Sequence, residues 1–518
     1  IIMAFTRRTF LRQGIHFTTL LAASTLSASA LGATRLARVS GNPFYLGVAS
    51  GDPRPDSVVI WTRLARETLG NTLSRNEPVA VDYEIAETAS FATIYRKGSA
   101  AALPELGYSV HLDLQGLSPG KEYYYRWMIG GEVSNVGRTK TAPASDATPE
   151  NFRFGFASCQ QYEHGYFTAL DHMAKENFDL IVHLGDYIYE ETWGAENVRH
   201  HNAPEIYTLD DYRARYELYK KDADLQAAHA SAPWAVTWDD HEVDDNYAND
   251  IAVDEQTPEQ LLIRRAAGYQ AFYEFMPIRL PSGRQGASMQ IYRPLQFGTL
   301  MDITVLDTRQ YRSDQACRDG MKTSCDQHRD LSRTLLGEAQ KDWLFRRLRN
   351  SEATWNVMAQ QVMMGRLLRR NEQNEEMYLM DIWDGYPGER DELLARLKEA
   401  ETPNPIVLTG DIHSNWVNNI LSDFSQENSE IIATEFVGTS ITSGGDGSDT
   451  TSTTAQTLSD NPHVKFYNRQ RGYVSCNLSK DLWQSDYMVL DKVSEPGHPI
   501  RTRASFVVEA GNPGALEA

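Results

Sequence analysis

From about residue 40 to 142, apolar and polar positions alternate in short runs. Ser57-Val58-Val59-Ile60-Trp61-Thr62 and Tyr108-Ser109-Val110-His111-Leu112-Asp113-Leu114 each have the length of one strand and lie between turn residues. Leu117-Ser118-Pro119-Gly120-Lys121-Glu122-Tyr123-Tyr124-Tyr125-Arg126 reads as a turn followed by an aromatic strand, the pattern of a tyrosine corner. These features predict a small fibronectin/Ig-like β-sandwich over 40–142, followed by a linker around Thr141 to Ser145. After Pro149 the pattern changes. Apolar runs at Phe152–Ala157, Leu180–Leu184, Trp234–Trp238, Met301–Leu306 and Ile406–Thr409 read as strands. Stretches with helical periodicity intervene, among them Tyr166 to Glu176, Glu338 to Arg349 and Arg390 to Glu399. Strands separated by helices predict an α/β domain over 150–518. The Ser/Thr/Gly/Asp-rich stretch from Thr439 to Gln456 predicts a loop, and the acidic run Asp250 to Glu259 a solvated surface.

The first thirty residues read differently. Thr6-Arg7-Arg8-Thr9-Phe10-Leu11 precedes a weakly apolar run from Gly14 to Leu31, too short and too rich in Ala, Ser and Thr to span a bilayer. Ala28-Ser29-Ala30 is a cleavage signature. Paired arginines before Phe-Leu resemble a twin-arginine export signal over 1–30, which implies passage through that export machinery to the periplasm or beyond. Such export carries folded proteins, a first hint of a metal loaded beforehand.

Composition narrows the function classes. The 518 residues carry 50 Lys+Arg and 70 Asp+Glu, a formal charge of −20, with 41% hydrophobic residues. A disordered chain and a fibrous repeat are excluded. Without residues 1–30 the balance is 47 basic against 70 acidic, −23. An acidic surface of that size argues against a groove for long nucleic acid. Of the four cysteines, Cys476 sits in an alternating stretch and reads as core. Cys317 and Cys325, with seven residues between them, allow a disulfide-closed surface loop and equally allow two free thiols.

The chemistry stands at the ends of the strands. The first α/β strand ends in Ser158-Cys159, the second in Gly185-Asp186-Tyr187-Ile188-Tyr189, the third in Asp239-Asp240-His241-Glu242 and a late one in Gly410-Asp411-Ile412-His413. The carboxyl ends of strands in an α/β sheet gather at one edge, where ligands bind. Each piece alone has an ordinary reading: a turn, a helix N-cap pair, a hydrogen-bonded core histidine. Four together bring metal ligands and acid/base groups into one crevice.

In this order the motifs Cys, Gly-Asp-x-x-Tyr, Trp-Asp-Asp-His-Glu and Gly-Asp-x-His resemble the PhoD-type alkaline phosphatase/phosphodiesterase family of calcineurin-like metallophosphoesterases. The resemblance extends to Phe44–Pro53, Leu306–Arg312 and Arg501–Phe506, and so covers nearly the whole chain. It implies a metallophosphoesterase-type α/β sandwich preceded by the small β-sandwich. It also implies Fe(III) held by Cys159, Asp186, Tyr189 and His413. Asp186 would bridge to Ca(II), completed by Asp240 and Asp411. Thiolate, phenolate and imidazole suit a transition metal, whereas carboxylates suit calcium. The family often has two Asn after Trp-Asp-Asp-His-Glu-Val-x. Here Asp245-Asn246 stands there, which leaves open the role of Asp245 and whether Asn246 reaches metal or phosphate. Wider relatives place a His ligand where this chain has Gln360-Gln361. Gln361 is an oxygen donor to calcium, a support for the ligands, or structural.

The implied activity is hydrolysis of small phosphomonoesters and phosphodiesters by metal-activated water. His241 either protonates the leaving alkoxide or orients Asp240, and Asp239 supports the ligands or phosphate. Arg309 either steadies phosphate or forms an internal ion pair with Asp307, the reading the spacing favours. His200 and His201 read as a solvated loop rather than a second metal cluster. A phospholipase D-like activity on lipid head groups is a second expectation, although no lipid-docking helix is evident. A non-catalytic secreted binding module is a third, from a different class.

Overall fold

The computed structural model describes residues 32–518 except 37, 70–76, 195–196, 280–285 and 427. The expected export segment, 1–30, lies outside the described residues. Two large mixed sheets dominate the fold. At the centre of the first, Phe152–Ala157, Leu180–His183, Pro233–Val236 and Val48–Arg54 run parallel. At the centre of the second, Met301–Val305, Trp355–Ala359, Pro405–Thr409 and Ile431–Val437 run parallel. Antiparallel strands flank both groups.

The strands read as continuous apolar runs because both faces are covered. Leu180 and Val182 point between the sheets, where they join Phe154, Phe156, Ile303, Val357, Ile406 and Leu408 in one core. Ile181 points the other way, into a core built with Leu170, Tyr212, Leu225 and Phe272. Those four come from helices Thr168–Lys175, Leu209–Lys220, Ala223–Ser231 and Pro258–Phe275. On the far side of the second sheet, Met358 and Val407 pack with Leu344 and Leu394 of helices Glu338–Asn350 and Pro387–Glu399. The layers are therefore helices, sheet, sheet, helices.

Several helices start where local chemistry sets them. Thr257 and Gln260 form a capping box ahead of Pro258, whose missing N–H costs nothing at the first helical position. Pro387 starts its helix three residues before the expected Arg390 for the same reason.

The N-terminal strands form the expected sandwich with its own core, including Val58, Ile60, Val81, Val110, Tyr125 and Trp127. Tyr123 closes the tyrosine corner: its hydroxyl accepts the Ser118 backbone N–H at 3.0 Å. One sheet of this sandwich does not end there. Val48–Arg54 pairs in parallel with Pro233–Val236, so it continues into the first large sheet and ties the sandwich to the crevice-bearing layer.

Cys317 and Cys325 form a disulfide, and Cys476 is buried in the core between the sheets. Among the described residues no helix is long and apolar enough to cross a membrane.

Candidate metal centre and active site

The four strand ends do converge, but not from one sheet. Cys159, Asp186 and Asp239–His241 follow strands of the first sheet, while Asp411 and His413 follow Pro405–Thr409 of the second. The crevice lies at the shared edge of the two sheets. Turning the chain there requires unusual backbone. Cys159, Asp186, Asp411 and His413 all have φ between 52° and 61°, a left-handed conformation that non-glycine residues hold only when their surroundings enforce it. Gly185 has φ 109°, and a Cβ there would lie 2.4 Å from that of Asp239. Only glycine lets these two strand ends come so close.

A buried carboxylate fastens the loops. Glu242 accepts backbone N–H bonds from Asp186 at 3.1 Å, Tyr187 at 2.5 Å and Asp239 at 2.7 Å. Burial pushes its pKa up to about 8 despite those bonds.

On one side of the crevice, ligand atoms of Cys159, Asp186 and His413 lie within 4.8 Å of one another. The Tyr189 hydroxyl donates to Asp186 Oδ2 at 3.0 Å and lies 3.2 Å from His413 Nε2 and 2.6 Å from Ser443 Oγ. Burial, then the Asp186 charge, drives the Cys159 thiol and the Tyr189 phenol well above their ordinary pKa values. Burial pushes Asp186 well up and His413 down to about 3.

On the other side, Asp239, Asp240 and Asp411 form a second group, and Asp186, Asp240 and His241 a third that joins the two. Arg309, fully buried, is the cation here. Its Nε lies 2.5 Å from Asp239, Nη1 2.8 Å from Asp381, and Nη2 3.0 Å from Asp411 and 3.5 Å from Asp240. The expected ion pair with Asp307 is corrected. Asp307 Oδ1 instead accepts the backbone N–H of Arg309 at 3.1 Å, a turn contact that leaves the guanidinium free to reach distant strand ends. Burial raises Asp239 to about 6 even against Arg309, whereas the charges of Arg309 and His241 overcome burial at Asp240 and lower it.

Asn246 is anchored at this edge. Its backbone N–H bonds Asp240 Oδ2 at 2.7 Å, Nδ2 donates to Asp319 at 3.2 Å and Oδ1 faces Arg309 at 3.4 Å. Gln361 lies beneath. Its Oε1 accepts from Thr308 and its amide nitrogen bonds Thr237 and the Trp238 and Leu306 carbonyls, so it joins the two sheets with both amide ends engaged.

His241 is aimed by Glu190, whose Oε2 meets Nδ1 at 2.7 Å, while Nε2 faces Asp245 at 3.8 Å. Burial disfavours the imidazolium, but Glu190, Asp240 and Asp186 outweigh it and hold the pKa well above the ordinary value. His201 departs from its expectation. It is buried, 3.3 Å from Glu163 and 3.1 Å from the Tyr219 hydroxyl, whereas His200 is exposed. Neither belongs to a candidate metal group among the described residues.

Glu190, Asp381 and Ser443 escaped the sequence reading, and Glu242 was read only as the end of its motif, with no role. Glu190 directly follows the motif residue Tyr189, which is a usable signal. Asp381 stands in no motif, and Ser443 lies inside a predicted loop.

The site passes one test for metals on its own atoms. Asp186 Oδ1 and Asp239 Oδ2 are buried without a hydrogen-bond partner, and Asp240 Oδ1 has only the Arg309 guanidinium at 3.5 Å. Buried carboxylate oxygens are costly unless a cation or donor meets them. The donors sort by chemistry as well, with sulfur, phenol and imidazole on one side and carboxylates on the other.

Facing mixed sheets with such strand ends define the metallophosphoesterase class. The chain belongs to the PhoD-like phosphatase family: residues 154–487 match its family model, and residues 28–143 match that of the PhoD-like phosphatase N-terminal domain. It is 50% identical over 482 residues to alkaline phosphatase D of Bacillus subtilis (strain 168), a match covering 92% of this chain and 82% of the relative. A solved structure, "Structure of PhoD", aligns with a TM-score of 0.89 at 50% identity and 92% coverage of both chains.

Proposed function

We propose that this protein is an exported phosphoric ester hydrolase acting on small phosphomonoesters and phosphodiesters, with ferric iron and calcium as its metals. The observation that carries this reading is the chain of three candidate ligand groups linked through Asp186 and Asp240, with orphaned buried oxygens at its centre. Family membership and the 50% identity to an alkaline phosphatase support the reaction class.

Cys159, Asp186, Tyr189 and His413 would hold the iron, and Asp186, Asp240 and Asp411 the calcium. Metals bound there would neutralise charge on the phosphoryl oxygens and make water a stronger acid near neutral pH. The remaining work belongs to the chain. Arg309 has every guanidinium nitrogen engaged by carboxylates, so its role is to hold Asp239, Asp381 and Asp411 in place rather than to grip phosphate. Glu190 fixes His241 through Nδ1, which leaves Nε2 to carry the proton delivered to the leaving alkoxide. Glu242 holds the Asp186 and Asp239 loops in register by their backbone N–H groups. The twin-arginine-like segment supports export, with the periplasm or the exterior as destination.

Metal analysis beside hydrolysis of a simple phosphomonoester, a phosphodiester and phosphatidylcholine tests the proposal. Iron and calcium with turnover of the first two is the expected result. Turnover of phosphatidylcholine alone would replace it with the phospholipase reading. Absence of both iron and hydrolysis would leave a binding module.

A further inference from the structure

Trp193 has no part in the chemistry above, yet it stands at the mouth of the crevice. Its ring centroid lies 5.8 Å from that of His413, 6.1 Å from His241 and 6.4 Å from Tyr189. It is 41% exposed, although indole is among the side chains whose burial is most favourable.

The indole is also held in place. The Trp193 carbonyl accepts a hydrogen bond from His164 Nε2 at 2.5 Å. His164 Nδ1 in turn accepts the Gly444 backbone N–H at 3.0 Å, which fixes the tautomer that donates to Trp193. The His164 ring stacks at 28° to the indole, 6.0 Å between centroids. Gly194 makes the next turn with φ 80°.

An exposed aromatic ring whose backbone is anchored from behind, beside the proposed metal ligands Tyr189 and His413 and the proposed acid His241, is a preorganised stacking surface. The neighbouring rim residue Asp245 is acidic and lies 3.8 Å from His241 Nε2. A second phosphate would be repelled there, but a neutral ring would not.

We infer that Trp193 forms a subsite for a planar, uncharged aromatic group on the alcohol side of the ester, such as an aryl ring or a nucleobase. The protein then favours aryl and nucleoside phosphates over esters of aliphatic alcohols. This inference rests on the phosphate-ester reading for its reaction, but the subsite can be tested by binding alone.

Phenylphosphonate and methylphosphonate, neither of which is an ester, separate the two questions. The metal-loaded full chain should bind phenylphosphonate about tenfold more tightly by isothermal titration. Trp193→Ala should collapse that preference towards unity, and Trp193→Phe, which keeps an aromatic face, should retain most of it. Among substrates, kcat/KM for p-nitrophenyl phosphate relative to glycerol 2-phosphate should fall in parallel in Trp193→Ala. Equal affinity for the two phosphonates, or a preference that survives Trp193→Ala, would overturn the subsite. A Trp193-dependent preference in a protein that hydrolyses neither ester would uphold the subsite and overturn the hydrolase reading.

Discussion

On one side of the crevice, Arg309 sits among Asp239, Asp240, Asp381 and Asp411 and neutralises part of their charge from within the chain. On the other, the Tyr189 hydroxyl links Asp186 and His413, Cys159 lies beside those two, and among the described residues no Lys or Arg is ion-paired with Asp186. Arg471 comes near but bonds the His413 carbonyl. The carboxylate side thus has a resident cation and its integrity depends on it. The sulfur and phenol side is uncharged only when the thiol, the phenol and the Asp186 carboxyl all keep their protons, and it becomes an ion site when a metal displaces them. The difference separates what holds the crevice together from what makes it reactive.

The largest effect should come from Asp186, which serves both sides. Asp186→Ala should lower kcat/KM by at least about a thousandfold, with loss of bound metal, because it removes charge stabilisation of several kcal/mol. Retained turnover at normal metal content would break the comparison. Next, Arg309→Ala should destabilise the fold by about 3–5 kcal/mol in chemical denaturation, since it strands buried carboxylates. Cys159→Ala should cost only about 1 kcal/mol while abolishing activity. Equal losses of stability would show that the two sides are not distinct.

A smaller effect is expected behind the site. Glu190→Gln should reduce kcat by about ten- to a hundredfold, with metal content unchanged, because it loosens His241 without touching a proposed ligand. An unchanged kcat would assign His241 a merely structural place.

The smallest effect is in pH dependence. Without metals, Glu242, with a pKa near 8, binds its proton more tightly in the folded protein than in the unfolded chain. Its contribution to stability should therefore fall as pH rises from about 4.5 to 8, by up to about 1.4 kcal/mol per unit. Buried neutral histidines act oppositely: burial lowers His183 and His413 to about 3. Their contribution is complete above the unfolded value of about 6.5 and is lost as pH falls below it. Above about pH 6.5 the histidine contribution is complete, so the thermal stability of metal-stripped protein should fall from there to pH 8. Metal should flatten that fall by pairing the ionised acids. A metal-free optimum at pH 8 would contradict this.

The ligands could be read in the sequence because each stands directly after an apolar run, so a strand and its terminal chemistry share one short motif. The tyrosine corner was equally legible, since Tyr123 and its Ser118 partner lie five residues apart. The facing of two sheets was not. In Leu180-Ile181-Val182 both faces are apolar, so the run does not say which residue meets a second sheet and which meets helices. Arg309 shows a related limit. Its neighbour Asp307 suggested a partner by proximity in sequence, but the carboxylates that hold it come from strands and loops as far as 102 residues away. Glu190 reaches His241 across 51 residues, and nothing local marks the pair.

The central claim is that Cys159, Asp186, Tyr189 and His413 form a ferric site in a phosphate-ester hydrolase. Visible absorption of the purified protein, with iron quantified in the same sample, tests it most directly. A charge-transfer band that scales with iron and is lost in Tyr189→Phe is the expected result. A colourless, iron-free protein that hydrolyses phosphate esters at full rate would contradict it.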